Sequence, residues 1–285
     1  MLIRPNYQNY NLLIGSAFHK ALEIWYKFPH RPMHRIARKI FEQLKKDIMA
    51  TQNFYDSSDW DKASQLLHVF TGMCLGYAAH YKNERKKFRK IEVEKNFRIE
   101  FENFDYEGQV DMLYSTKYKR FLETKTASFV TNVYIKRLEM DNQIRGYWLG
   151  LKEGHDYTPK SCTYNVIRKA QLRRKSGETP DEFNERIELD YLERPDHYFH
   201  REKIVIRKDD LERFVDNLHI ADAEYQYILN NYDPTIPEAW GTNDKHCDAY
   251  FKLCEYFELC TGGLDYTTEG MFDQRTTAHS ELEDA

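Results

Sequence analysis

EGQVDMLYSTKYKRFLETKTA, Glu107 to Ala127, is the stretch on which the reading of the fold turns. Two alternating runs, around Gly108 to Tyr114 and Lys119 to Thr126, are separated by a few polar residues, the pattern of neighbouring antiparallel strands. Residues two apart on a strand share a face, so Phe121, Glu123 and Lys125 point the same way. The short connection brings Asp111 of the first strand near Glu123 of the second. Two acids and one amine converge. Carboxylate oxygens are the hard ligands that Mg2+ or Mn2+ prefers, and such an ion polarises a phosphate and lowers the pKa of bound water. Lys125 is then placed to stabilise developing negative charge or orient the nucleophile. The same residues also read as a ladder of opposite charges on a half-exposed sheet, which contributes little.

Outward from this stretch the periodicity is helical on the N-terminal side. A helix is expected from Ser16, with Ser16 as its cap and Phe18, Leu22 and Trp25 on one face. Others are expected over His34 to Met49 and Asp59 to Phe88. Ile91 to Phe101 alternates as a strand, bent near Lys95. After the decisive stretch come a helix from Asn132 to Leu151, a strand from Cys162 to Arg168, a short amphipathic helix from Pro180 to Leu192, a strand from Tyr198 to Ile206 and a long helix from Asp209 to Asn230. The order implies an α/β fold, a small mixed sheet flanked by helices behind a helical N-terminal region. The expected organisation is one domain over 1–260: a helical part at 15–90, a catalytic core at 91–168, an insertion at 169–197, and a C-terminal helix with a cysteine segment at 198–260. The acidic 261–285 reads as a disordered tail.

The 285 residues, 41% hydrophobic with a formal charge of −4, suit a globular chain. No apolar run reaches the length of a membrane span or a signal peptide. Five cysteines, with Cys247, Cys254 and Cys260 crowded together, fit a reducing cytoplasm and a metal cluster better than disulfides. Basic runs at Lys82 to Lys90 and Arg168 to Lys175 offer phosphate contacts despite the acidic total, with Tyr118 or Tyr134 available to stack on bases.

Two further clusters complete the pattern. GSAFH ends in His19 on the first helix, and QIRGY sets Gln143 and Tyr147 four apart on one helical face around Gly146, which helix propensity alone does not explain. In order, Gly15/His19, Gly108/Asp111, Glu123/Lys125 and Gln143/Tyr147 follow G-x-x-x-H, G-x-x-D, E-x-K and Q-x-x-x-Y. With these residues the chain resembles the PD-(D/E)XK nucleases, and within them the RecB-like branch with its AddB nuclease domain, CRISPR adaptation nucleases and phage exonucleases. The resemblance implies a restriction-endonuclease-like core and a deoxyribonuclease dependent on Mg2+ or Mn2+. It makes His19, Asp111 and Glu123 metal ligands, Lys125 the catalytic lysine, and Gln143 and Tyr147 residues that orient the site or the strand.

The resemblance also implies exonuclease action on linear duplex or single-stranded DNA in recombination, repair or phage DNA processing, beside a helicase, recombinase or other DNA-processing partner. A non-catalytic DNA-binding or assembly subunit and a structure-specific endonuclease are the alternatives. Members of the branch often hold a 4Fe-4S cluster on one upstream and three C-terminal cysteines. Cys247, Cys254 and Cys260 match the downstream three, but no cysteine precedes Cys74, so the ligand set is incomplete in this chain. Cys74, Cys162 or, for zinc, His246 are the candidate completions.

Overall fold

The computed structural model describes residues 2–5, 10–51, 57–233, 236, 239–240, 245, 247, 253–254, 256–262 and 272–275. In chain order the elements are β1 (Leu2–Pro5), α1 (Tyr10–Lys27), α2 (Met33–Thr51), α3 (Ser57–His80), β2 (Arg89–Glu100), β3 (Asp105–Ser115) and β4 (Lys119–Ala127). They continue with α4 (Asn132–Arg137), a 3-10 turn (Leu138–Met140), α5 (Asn142–His155), β5 (Cys162–Arg168), α6 (Pro180–Glu193), α7 (Pro195–Tyr198), β6 (Phe199–Ile204), α8 (Lys208–Asn231), α9 (Phe257–Cys260) and β7 (Phe272–Arg275). None of the helices among the described residues is long and apolar enough to cross a membrane.

The chain divides into two compact units. The larger comprises Asn9–Glu100 and Asp105–Leu211. Its sheet has the order β2-β3-β4-β5-β6, antiparallel throughout except for the parallel pair β4–β5. That parallel step needs a crossover, which α4 and α5 provide. Against the sheet lies a core in which Ile14, Phe18 and Ala21 of α1, Ile48 of α2, and Phe70, Met73 and Tyr77 of α3 are fully buried. Each large apolar side chain so buried contributes about 1.5–3 kcal/mol. The smaller unit comprises Met1–Gln8, Phe101–Phe104 and Glu212–Ala285. Within it β1 pairs antiparallel with β7, and the stacked rings of Phe101 and Phe104 meet His219.

Several boundaries differ from the sequence expectation for identifiable reasons. α1 begins at Tyr10, so the exposed Ser16 lies inside the helix and does not cap it; Leu13 and Ile14 already continue the apolar stripe. The expected helix over Asn132 to Leu151 is broken, because the Asp141 side chain accepts from the amides of Gln143 and Ile144 and starts α5 afresh. α3 stops at His80, and the basic run that follows forms a turn leading into β2. β2 is one strand through Lys95, with a register shift between Arg89 and Glu92; the reversal comes at 101–104.

The stretch 169–197, read as an insertion, contributes α6. α6 packs along α3, with Ile187 and Tyr191 fully buried, and the Tyr191 hydroxyl donates to the Arg168 carbonyl at 3.1 Å while accepting from the Ala170 amide at 2.8 Å. Thr179 and Glu182 form a reciprocal capping box at its start. In the C-terminal stretch expected to be disordered, Phe272–Arg275 is a strand; most of the remainder lies outside the described residues.

The glycines of α5 are explained by what crosses them. A Cβ on Gly146 would lie 1.8 Å from the Tyr106 hydroxyl, and one on Gly150 would lie 2.2 Å from the Phe97 ring. Gly150→Ala would raise helix propensity by about 1 kcal/mol, yet overpacking costs roughly 1–3 kcal/mol. We expect a net loss of about 1 kcal/mol in urea unfolding; a more stable variant would show that α5 moves off Phe97 freely.

Candidate functional site

The site forms where two strands part. The β3–β4 ladder runs from Ser115–Lys119 to Met112–Leu122, and one step further along this register Asp111 stands across from Glu123. There the ladder ends, and the Thr124 amide donates instead to Asp111 Oδ2 at 2.7 Å. β4 continues as a parallel neighbour of β5, which places Glu123 in the interior of the sheet at 1% exposure. Neither Glu123 oxygen has a hydrogen-bond partner in good alignment. Lys125 Nζ lies 2.5 Å from Oε1, an ion pair that offsets part of the carboxylate's charge. Lys125 itself keeps 35% exposure and can meet a ligand from solvent.

The other expected residues arrive from helices. His19 of α1 places Nδ1 3.4 Å from Asp111 Oδ1. Gln143 of α5 donates from Nε2 to the Tyr147 hydroxyl at 2.6 Å, and the Tyr147 ring meets Phe97 and Phe121 edge-on. The charges of Asp111 and Glu123 act on Tyr147, placing it within their field. All six candidate residues of this set are thus brought into one neighbourhood.

The electrostatics follow from burial among like charges. Burial, then the Asp111 charge, pushes Glu123 up to about 8, against the opposing pull of Lys125 and His19. For Lys125, burial acts downward, but Glu123 and Asp111 outweigh it and the net shift is upward. His19 is likewise raised overall: burial, the largest single influence, pulls down, and the charge and contact of Asp111 together with the Glu123 charge outweigh it. Burial raises Tyr147 and the neighbouring carboxylates raise it further, so it stays a neutral phenol.

Two residues at the site escaped the sequence reading. Val93 pairs with Met112 and Lys95 with Val110, which sets Glu94 across from Asp111. Its only sequence signal was a place on the charged face of an alternating strand. Asn165 of β5, fully buried, donates to the Thr124 hydroxyl and the Tyr77 hydroxyl, both at 3.3 Å. Its Oδ1 accepts from Arg201 Nε at 3.1 Å. Behind the site strand, Arg201 also bonds Tyr77 at 2.7 Å and pairs with Glu84, which accepts from Tyr26 at 2.6 Å.

Among the described residues, no three of His, Cys, Asp and Glu close into a ready-made metal shell. The donor chemistry nevertheless fits a hard dication: a buried carboxylate with unsatisfied oxygens, a second carboxylate one register step away, and an imidazole beside it. No cluster site is shown among the described cysteines. Cys247 and Cys254 are half-buried and joined by a backbone hydrogen bond of 2.7 Å, and Cys260 is exposed. Cys74 and Cys162 are wholly buried, and His246 lies outside the described residues.

Comparison with known proteins bears on this arrangement. A sequence model of the PD-(D/E)XK nuclease superfamily matches residues 2–261, nearly the whole chain. The chain belongs to the PD-(D/E)XK nuclease superfamily. Its five-stranded mixed sheet flanked by helices agrees with the restriction-endonuclease-like α/β fold. PD-(D/E)XK nucleases typically use Mg2+ or Mn2+, in keeping with the oxygen-rich donor set. Among solved structures, the chain is similar to the crystal structure of SSO0001, at 13% identity over 70% of this chain and 80% of that one, with a TM-score of 0.23. No curated protein matches it.

Proposed function

We propose that this PD-(D/E)XK chain is a divalent-metal-dependent deoxyribonuclease of the RecB-like branch, acting from DNA ends. The observation that carries the reading is the Glu123 carboxylate, buried with both oxygens lacking aligned hydrogen bonds, beside Asp111 and Lys125. A buried anion in this state is expensive unless something compensates it. Asp111, Glu123 and His19 would hold Mg2+ or Mn2+, which supplies Lewis-acid activation of the phosphate and of a water nucleophile. The Lys125 ammonium, half-exposed, faces the phosphate and offsets charge as the phosphorus–oxygen ester bond breaks. Gln143 fixes the Tyr147 hydroxyl, which offers a donor to a phosphate oxygen.

Charge near α1 supports a nucleic-acid substrate. A groove of about 1000 Å3 lies between α1 and α2; Leu13, Ile24 and Ile40 line it together with Lys20, Arg38 and Lys39, and Glu42 and Asp47 also border it. Such a surface suits a phosphate backbone with apolar contact beneath it. In this reading the protein serves DNA recombination, repair or phage DNA processing beside a helicase, a recombinase or another DNA-processing partner. Cys247, Cys254 and Cys260 would be the downstream ligands of an iron–sulfur cluster, and the proposed cleavage chemistry uses none of them.

The test is to incubate linear duplex, single-stranded and covalently closed circular DNA with the protein in Mg2+, Mn2+ or EDTA. Metal-dependent release of short oligonucleotides from linear DNA, with circles intact, is expected. Nicked or linearised circles would replace end-dependent action with an endonuclease. DNA binding without cleavage in either metal would overturn the nuclease in favour of a binding subunit.

A further inference from the structure

We propose that Glu94 is a further carboxylate ligand of the divalent-cation site, an inference that rests on the nuclease reading above. The register of β2 on β3 sets Glu94 across from Asp111, and that of β3 on β4 sets Asp111 across from Glu123. Extended one step past the paired residues, the two registers bring the three carboxylates to successive positions on adjacent strands; as they stand they do not close into a metal shell, and a bound cation would have to draw them together. Directly opposed residues in an antiparallel pair have Cβ atoms about 4.5–5.5 Å apart, and like charges so placed repel. Glu94 is half-buried, and the charges acting on it are those of Asp111, His19, Glu23 and Lys20. Glu92, two residues away, is the contrast: it is exposed and tied to Lys95 at 3.2 Å, an ordinary surface pair.

The row ends on a buried carboxylate whose ion pair with Lys125 engages one of its two oxygens. Glu123 is 1% exposed, neither oxygen is satisfied by an aligned hydrogen bond, and it lies in the field of Asp111 and His19. Lys20 is already paired with Glu23 at 2.5 Å, which leaves Lys125 and His19 to face three acids, and a dication bound among them would supply the remaining positive charge. The backbone at Glu94 is also left-handed, with φ 50°, a conformation that glutamate adopts rarely and at a cost. The flanking pairs Val93–Met112 and Lys95–Val110 hold it there.

Mn2+ binding measured by calorimetry and by electron paramagnetic resonance tests the assignment on the full chain. Wild type, Glu94→Gln, Glu123→Gln and the control Glu92→Gln are compared, and melting temperatures are taken with EDTA and with Mn2+. Glu94→Gln is expected to weaken Mn2+ binding by about 10-fold or more, and to shrink the rise in melting temperature that Mn2+ confers. Its melting temperature in EDTA should stay level or rise, because a like charge has been removed; Glu92→Gln should bind Mn2+ as wild type does. Glu94→Gly relieves the left-handed backbone and should lose Mn2+ affinity all the same. Wild-type affinity in both Glu94 variants would overturn the inference while leaving the nuclease reading standing. A merely structural Glu94 would instead lower the melting temperature in EDTA without changing affinity. Absence of Mn2+ binding by the wild type would bring down the nuclease reading, and the inference with it.

Discussion

Glu123→Gln should abolish cleavage and at the same time stabilise the metal-free protein at neutral and alkaline pH. Loss of activity follows from removing an anionic oxygen ligand at a site where charge develops, and a fall of at least about 100-fold is expected. The gain in stability follows from burial. The carboxyl sits at 1% exposure without aligned hydrogen bonds, and burial followed by the Asp111 charge pushes it up to about 8 from an ordinary 4.5. An acid whose pKa is raised by folding leaves stability intact below the unfolded value and costs it as pH climbs through the folded value. Wild-type protein in EDTA should therefore weaken between about pH 4.5 and pH 8, whereas Glu123→Gln should lose that slope. Each pKa unit corresponds to about 1.4 kcal/mol. Lys125, at 35% exposure, can rehydrate when its partner becomes neutral. Urea unfolding across this pH range, paired with the DNA assay, reads both effects. Wild-type cleavage by the variant would remove the proposed mechanism, and lower stability at pH 8 would refute the account of the buried carboxyl.

Arg201→Met should unfold the protein more readily than any substitution at the site itself. The guanidinium contacts Glu84, the Tyr77 hydroxyl and Asn165 Oδ1, and lies 3.6 Å over the Tyr81 ring. Removing it leaves Glu84, 10% exposed, with the Tyr26 hydroxyl as its remaining hydrogen bond among the described residues. Breaking one side of such a pair costs about 3–5 kcal/mol. The double variant Glu84→Leu/Arg201→Met removes both charges and should recover part of that loss, since neither ion is then stranded. Denaturant midpoints for the single and double variants measure the coupling. An Arg201→Met midpoint within experimental scatter of wild type would show that the network contributes nothing net.

The two expectations differ in how visible they were. Glu123 stood out in the linear chain because Glu-Thr-Lys places two charges on one strand face, and the antiparallel partner carrying Asp111 followed from a short connection. The strands Lys119–Ala127 and Cys162–Arg168 lie where their alternation put them. His19, Gln143 and Tyr147 were legible as an ordered set of short spacings, and their helices bring them to the same two carboxylates. Arg201 and Asn165 carried no such signal, for each is an ordinary polar residue in an alternating strand. Their partners Glu84 and Tyr77 are more than eighty positions away in the chain.

Amino-acid order by itself determined the elements and their faces, because periods of 2 and 3.6 and the caps of turns and helices are properties of neighbours along the chain. It also determined which hard donors and which lysine were available. Tertiary structure alone decided the rest. Register set Glu94 beside Asp111, the crossing of Phe97 and Tyr106 explained Gly150 and Gly146, and a central strand buried Glu123 until its carboxyl was held above its ordinary range. The physical reason is common to all three: cross-strand register, close packing and desolvation are set by residues distant in sequence, so no local pattern records them.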